Sequence, residues 1–72
     1  MYVVKITIEW SDNLEYEEPR YFTRIYSEND LGERFTDKLS FKKKSIELAR
    51  KEAKWWFNQG WNRVHKIEDL GD

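Results

Sequence analysis

A single histidine, His65, stands in the run Trp61–Leu70, "WNRVHKIEDL". One imidazole cannot build a multi-histidine metal centre. The chain has no cysteine, so thiolate zinc sites and disulfides are also unavailable. Alternation places His65 near the middle of a strand, which favours a structural or surface role over catalysis. Asp12, Glu15, Glu17 and Glu18 form an acidic run, but nothing near in sequence fixes their spacing as a general acid and base. They read as a solvated, mutually repelling hairpin end, or else as an attractor for a basic partner. The glycines Gly32, Gly60 and Gly71 are too dispersed to form a phosphate-cradling loop. The expectation is a non-enzyme without metal or cofactor, whose chemistry is binding.

Two features could carry binding. Lys42, Lys43 and Lys44 precede Ser45, a residue able to cap a helix by accepting from its orphan N–H groups. Cations ahead of a positive helix terminus cost stability unless screened or compensated. The three lysines with those N–H groups are therefore candidates for an anion site, against the plainer reading of a solvated basic loop. The second feature is "ARKEAKWWFNQGW", Ala49–Trp61, with two adjacent indoles. At about 100° per residue, Trp55 and Trp56 diverge on a helix. Ile46, Ala49, Ala53, Trp56 and Phe57 share one stripe, the expected core face. Trp55 falls opposite with Leu48, while Arg50, Lys51 and Lys54 flank the stripe. Leu48, Arg50, Lys51, Lys54 and Trp55 are thus the candidate partner-binding residues. The bland alternatives are Trp55 lying over lysine stems, or Leu70 folding back to cover it.

These residues need elements to hold them. "YVVKITIEW" alternates with period two, placing Tyr2, Val4, Ile6, Ile8 and Trp10 on one side of a half-buried strand. Turn residues follow at Ser11–Asn13, then a second strand over Pro19–Ser27, where Phe22 and Tyr26 compete with Tyr21 and Ile25 for the inward side. Ser27–Asp37 reads as a loop or turn, and Phe35, Leu39 and Phe41 suggest a short third strand. A helix runs from Ser45 through Ile46–Asn58, with Gly60 placed for a left-handed cap. A last strand covers Trp61–Leu70; Val64 and Ile67 are out of phase there, which a bulge or burial on both faces would reconcile. The expected fold is α+β: an antiparallel sheet of three to four strands, in the order β-β-(β)-α-β, with one helix on one face. The opening and closing strands are expected to pair at its centre.

Seventy-two residues allow one domain, residues 1–72, near the lower end of what one core stabilises. Aromatic residues make up 17%, enough to fold a chain that is 38% charged with a net charge of −1. Residues 1–36 carry four bases against eight acids, and residues 37–72 nine against six, which gives a two-faced surface if the halves do not interleave. The N-terminus is too short to span a bilayer and lacks signal-peptide features, so a cytoplasmic protein with no membrane partner is expected.

"MYVVKITIEW", the charged hairpin, "SIELARKEAKWWFNQG" and the closing "VHKIEDL" together resemble the compact strand–strand–helix–strand proteins of phage genomes, some anti-CRISPR proteins among them. The resemblance covers most of the chain and rests on Ser45, the Ala49/Ala53/Phe57 spacing, Gly60 and the terminal strands. It implies a non-enzymatic protein that blocks a host complex by occupying its nucleic-acid-binding or partner-binding surface, and it assigns no residue. The leading expectation is accordingly a protein that docks on a host protein or ribonucleoprotein complex. The alternatives are a nucleic-acid binder, in which Lys42–Lys44, Arg50, Lys51 and Lys54 track phosphates beside Trp55 or Tyr21, and a self-associating protein, so that both monomer and homodimer stay open. The sequence pI of about 5.8 weighs against dedicated nucleic-acid binding.

Overall fold

Alternation of β-branched and aromatic residues makes Val3–Ser11 a strand, β1, whose inward side chains Val4, Ile6, Ile8 and Trp10 are all buried. The structure, a computed structural model, describes residues 1–11, 18–57 and 60–71. The acidic run Asp12, Glu15 and Glu17 therefore lies outside the described residues. β1 is the centre of a three-stranded antiparallel sheet, between β2 (Arg20–Ser27) and β3 (Trp61–Asp69). Opening and closing strands do pair, but β3 is an edge and the centre belongs to β1 alone.

Register settles how β2 faces. Tyr26 stands opposite Val4 and Phe22 opposite Ile8, so these two turn inward and Tyr21 and Ile25 turn out. In β3 the pairing slips: Thr7 faces Lys66, whereas Ile8 faces Val64. His65 is the extra residue of this bulge. The slip brings both Val64 and Ile67 opposite core residues, Ile8 and Ile6.

Beyond β2 the chain makes a single helical turn, α1 (Glu28–Leu31). Ser27 accepts from the N–H of Asp30 while Asp30 accepts from the N–H of Ser27, a reciprocal cap. Gly32, at φ 74°, ends the turn in the left-handed region. The Glu28 carboxylate accepts from the Phe35 N–H at 2.9 Å and from the Tyr2 N–H at 2.8 Å. It ties the strand start to the connection that follows.

The expected third strand is absent among the described residues, and Phe41 is helical. Helix α2 starts at Lys38 and runs 19 residues to Trp56. Asp37 caps it, accepting from Ser40 N–H at 2.7 Å. This local hydrogen bond and the i, i+4 repeat of Phe41, Ser45, Ala49 and Ala53 outweigh the alternation of Phe35, Leu39 and Phe41. Ser45 is consequently not a cap: it is buried within the helix and donates to the Phe41 carbonyl at 2.9 Å. The helix ends at Phe57, whose N–H reaches the Ala53 carbonyl. Gly60 has a positive φ of 104° but lies beyond the cap.

The buried stripe of α2 steps by four residues throughout. Such a ridge drifts about 40° per step around the helix, so α2 crosses the sheet obliquely. By the last turn the contact face has rotated to Ala53 and Phe57, and Phe57 packs on Trp10 at 6.1 Å between centroids. Trp56, expected in the core, is swung outside and is 62% exposed. Ion pairs pin both flanks of the helix: Lys42 to Asp69 at 3.1 Å with Lys38 nearby, and Arg24 to Glu52 at 3.0 Å. Among the described residues, no helix is long and apolar enough to cross a membrane.

This orientation predicts unequal costs for two aromatic truncations. Phe41→Ala empties a fully buried site and lowers the unfolding free energy by about 3–5 kcal/mol. Trp56→Ala changes it by no more than about 1 kcal/mol. Urea unfolding of both variants checks this, and the reverse ranking would reinstate Trp56 as core. A second prediction concerns acid. The N–H groups of Phe35, then Tyr2, hold the Glu28 carboxyl below its ordinary pKa, and Ser40 does the same for Asp37. Both folded-state pKa values lie below the unfolded ones. The stabilisation is thus complete above the ordinary carboxylate range and is lost as pH falls through the depressed values. Glu28→Gln should flatten the acid limb of melting temperature against pH, and an unchanged limb would remove Glu28 from it.

Candidate binding surface

The outward side of α2 is built by exclusion. Its core stripe faces the sheet and its two flanks are held by ion pairs, so the remaining positions must meet solvent. Arg50, Lys51 and Lys54 are all exposed there. None of the three forms an ion pair with a described residue, whereas Lys5, Arg24, Lys38, Lys42, Arg63 and Lys66 all do. Trp55, 76% exposed, stands at the end of this ridge, as its helical position predicts. Trp56 stands beside it, edge to face, with centroids 4.9 Å apart and planes at 84°. Two neighbouring indoles outside the core form a larger apolar feature than the single one expected from sequence.

Leu48 does not belong to this surface. It is half-buried against the core and lines a shallow groove between α2 and β2 with Arg24, Ile25, Tyr26, Asp30 and Glu52. The oblique crossing rotates this part of α2 toward β2, which draws Leu48 in. The groove's floor is anchored by Tyr26, whose hydroxyl meets Glu52 at 3.1 Å. Burial, reinforced by the Glu52 carboxylate, raises the pKa of this phenol and keeps it protonated.

The candidate anion site at Lys42, Lys43 and Lys44 is not assembled. These residues lie inside α2, past its first turn, because the helix starts at Lys38. The N–H of Ser40 is already taken by Asp37, and Lys42 is committed to Asp69. The lysines and free helix-terminal N–H groups are therefore separated. Lys43 remains exposed and extends the basic outward side toward the N-terminus.

One cluster escapes sequence reading altogether. Glu9 occupies an outward position of the alternating β1, where solvation is expected, yet its side chain is only 6% exposed. Arg63 donates to it at 3.1 Å, and His65 Nδ1 lies 3.3 Å from the same oxygen. The Tyr21 ring packs on the imidazole at 5.0 Å. Large residues from both neighbouring strands roof the central one, which only the register reveals. Chemically, the carboxylate fixes the imidazole through Nδ1 and neutralises Arg63 across the sheet. Among the described residues, no group of three or more His, Cys, Asp or Glu side chains could hold a metal ion. The cluster acts as a polar rivet at the β3 bulge. Compared with protein-family models, curated proteins and solved structures, the chain matches none.

Proposed function

We propose that this chain is a non-enzymatic binding protein that docks through the outward side and C-terminal end of α2 on a protein or ribonucleoprotein complex. The observation that carries this reading is the pair Trp55 and Trp56, both mainly exposed, beside Arg50, Lys51 and Lys54, which have no ionic partner among the described residues. Tryptophan and arginine are over-represented among residues that dominate binding energy. Here desolvation of the indoles supplies affinity, and the unpaired cations steer the encounter with an acidic surface. On this reading the protein acts by occlusion, with the exposed indoles and cations of α2 covering a surface that its partner needs. The layout resemblance to phage-encoded inhibitors supports a host complex as the target, and the absence of cysteine suits a cytoplasmic setting.

The same cations beside aromatic rings support a second reading, single-stranded nucleic acid. Salt separates the two. Phosphate neutralisation makes affinity fall steeply and log-linearly with salt, whereas an indole-anchored protein contact retains most of its affinity.

With a partner isolated by affinity capture, Trp55→Ala is expected to weaken binding by about 2 kcal/mol, roughly thirtyfold. Stability should stay within about 0.5 kcal/mol of the parent. Lys54→Glu should mainly slow association and reduce its salt dependence. Undiminished binding by Trp55→Ala would move the interface elsewhere. Titration with an oligothymidylate at low salt tests the second reading, and an unchanged tryptophan fluorescence would dismiss it.

A further inference from the structure

The sheet has two edges, and they are not equivalent. β3 is guarded: a bulge at His65 interrupts its register, and it carries Arg63, His65, Lys66 and Glu68 within a few residues. Bulges and edge charges are devices by which sheets discourage further pairing. β2 has neither a bulge nor a lysine. Its pairing with β1 is unbroken from Val3↔Ser27 to Trp10↔Arg20, and Pro19 precedes the strand. Among the described residues no strand lies beyond β2, so alternate residues turn their N–H and C=O groups outward. Of the two arginines it presents on the helix side, Arg24 is neutralised by Glu52 and Arg20 lies over the Phe57 ring at 4.8 Å.

We infer that β2 pairs antiparallel with β2 of a second copy of this chain, about a two-fold axis at Thr23. The run "RYFTRIY", Arg20–Tyr26, is self-complementary about that residue. On the open side of the sheet the axis sets Tyr21 opposite Ile25 of the second copy, Thr23 opposite Thr23, and Ile25 opposite Tyr21. Aromatic with β-branched and threonine with threonine are favourable cross-strand pairs. Tyr21 and Ile25 are 53% and 52% exposed in the single chain, leaving surface for such pairs to cover. On the helix side Phe22 faces Arg24 of the second copy, extending the contact Arg24 already makes over the Phe22 ring at 5.4 Å. The pairing ends before Pro19 and before α1. Helices also fit: α2 packs chiefly over β1, and β1 lies three strand spacings from its mate, about 14 Å. Packed helices need only about 8–10 Å between axes.

Because the chain has no cysteine, single cysteines report this register directly. Thr23→Cys places two thiols on the axis, where opposed Cα atoms of antiparallel strands lie about 4.5–5.5 Å apart, within disulfide range. Ile25→Cys, on the same edge, lies about 14 Å along the strand from its mate, and Lys66→Cys is on the other edge. Under mild oxidation at micromolar concentration, Thr23→Cys should link into dimers about a hundredfold faster than either control, the difference between paired and colliding thiols. Sedimentation should show the parent chain as a dimer, and Thr23→Lys, which opposes two ammonium groups on the axis, as a folded monomer. Equal linking rates for the three cysteine variants, or a parent chain that stays monomeric at high micromolar concentration, would overturn the inference.

Discussion

The structure depends on one contact, the four-residue stripe Phe41, Ser45, Ala49 and Ala53 lying on Val4, Ile6, Ile8 and Trp10 of β1. Two alanines and a serine keep the helix close to the sheet, and Phe41 and Phe57 fill the ends. A stripe stepping by four instead of alternating three and four cannot stay parallel to the helix axis. It commits α2 to an oblique path, and the path decides which side chains of the last turn reach the sheet. Phe57 does, and the two indoles before it do not.

Electrostatics follow from the same placement. Wherever α2 borders a strand, its charged residues have acquired partners: Lys38 and Lys42 share Asp69, and Glu52 takes Arg24. These exposed pairs contribute little stability individually, but they consume the acids near the helix. Among the described residues of α2, the outward ridge of Arg50, Lys51 and Lys54 is left with Glu47 as the acid on that side. A chain of net charge −1 thus presents a locally positive surface on this helix side, since Glu52 and Asp69, acids beside α2, are paired at its flanks. Composition by halves could not show this, because the halves interleave through β3 and β1.

What could be read from sequence was what depends on local periodicity. β1 shows itself through strict alternation, the β3 bulge through the phase conflict of Val64 and Ile67, and the outward Trp55 through its angle to Ala49 and Ala53. The misreadings share a cause, which is the choice of where the helix begins. Taking Ser45 as the cap fixed the reference face on Ile46 and ignored the first two turns. Those turns, with Phe41 buried, show the contact stripe drifting, and drift is what expels Trp56 and draws in Leu48. Asp37 and Ser40 carried the true start signal, but the spacing of Phe35, Leu39 and Phe41 fits a strand equally well until tertiary packing chooses. Glu9 was illegible for another reason. Its burial arises from side chains contributed by residues 21, 63 and 65, which only the sheet register brings together.

The two surfaces inferred here are geometrically compatible, and their combination has a consequence. A two-fold axis normal to the sheet leaves each face on its own side. Pairing through β2 therefore yields a six-stranded sheet with both α2 helices on one face. Each copy keeps Trp55, Trp56 and the basic ridge exposed, so the paired form would present the proposed docking surface twice in one direction. Against a target with two equivalent sites at matching distance, the second contact becomes intramolecular and the gain in apparent affinity needs no new residue. Against a target with one site, pairing adds bulk beside the occupied surface, which suits the proposed action by occlusion. In both cases the unguarded edge belongs to the strand whose use leaves α2 uncovered. The guarded edge is β3, the strand that carries the rivet of Arg63 and His65 on Glu9.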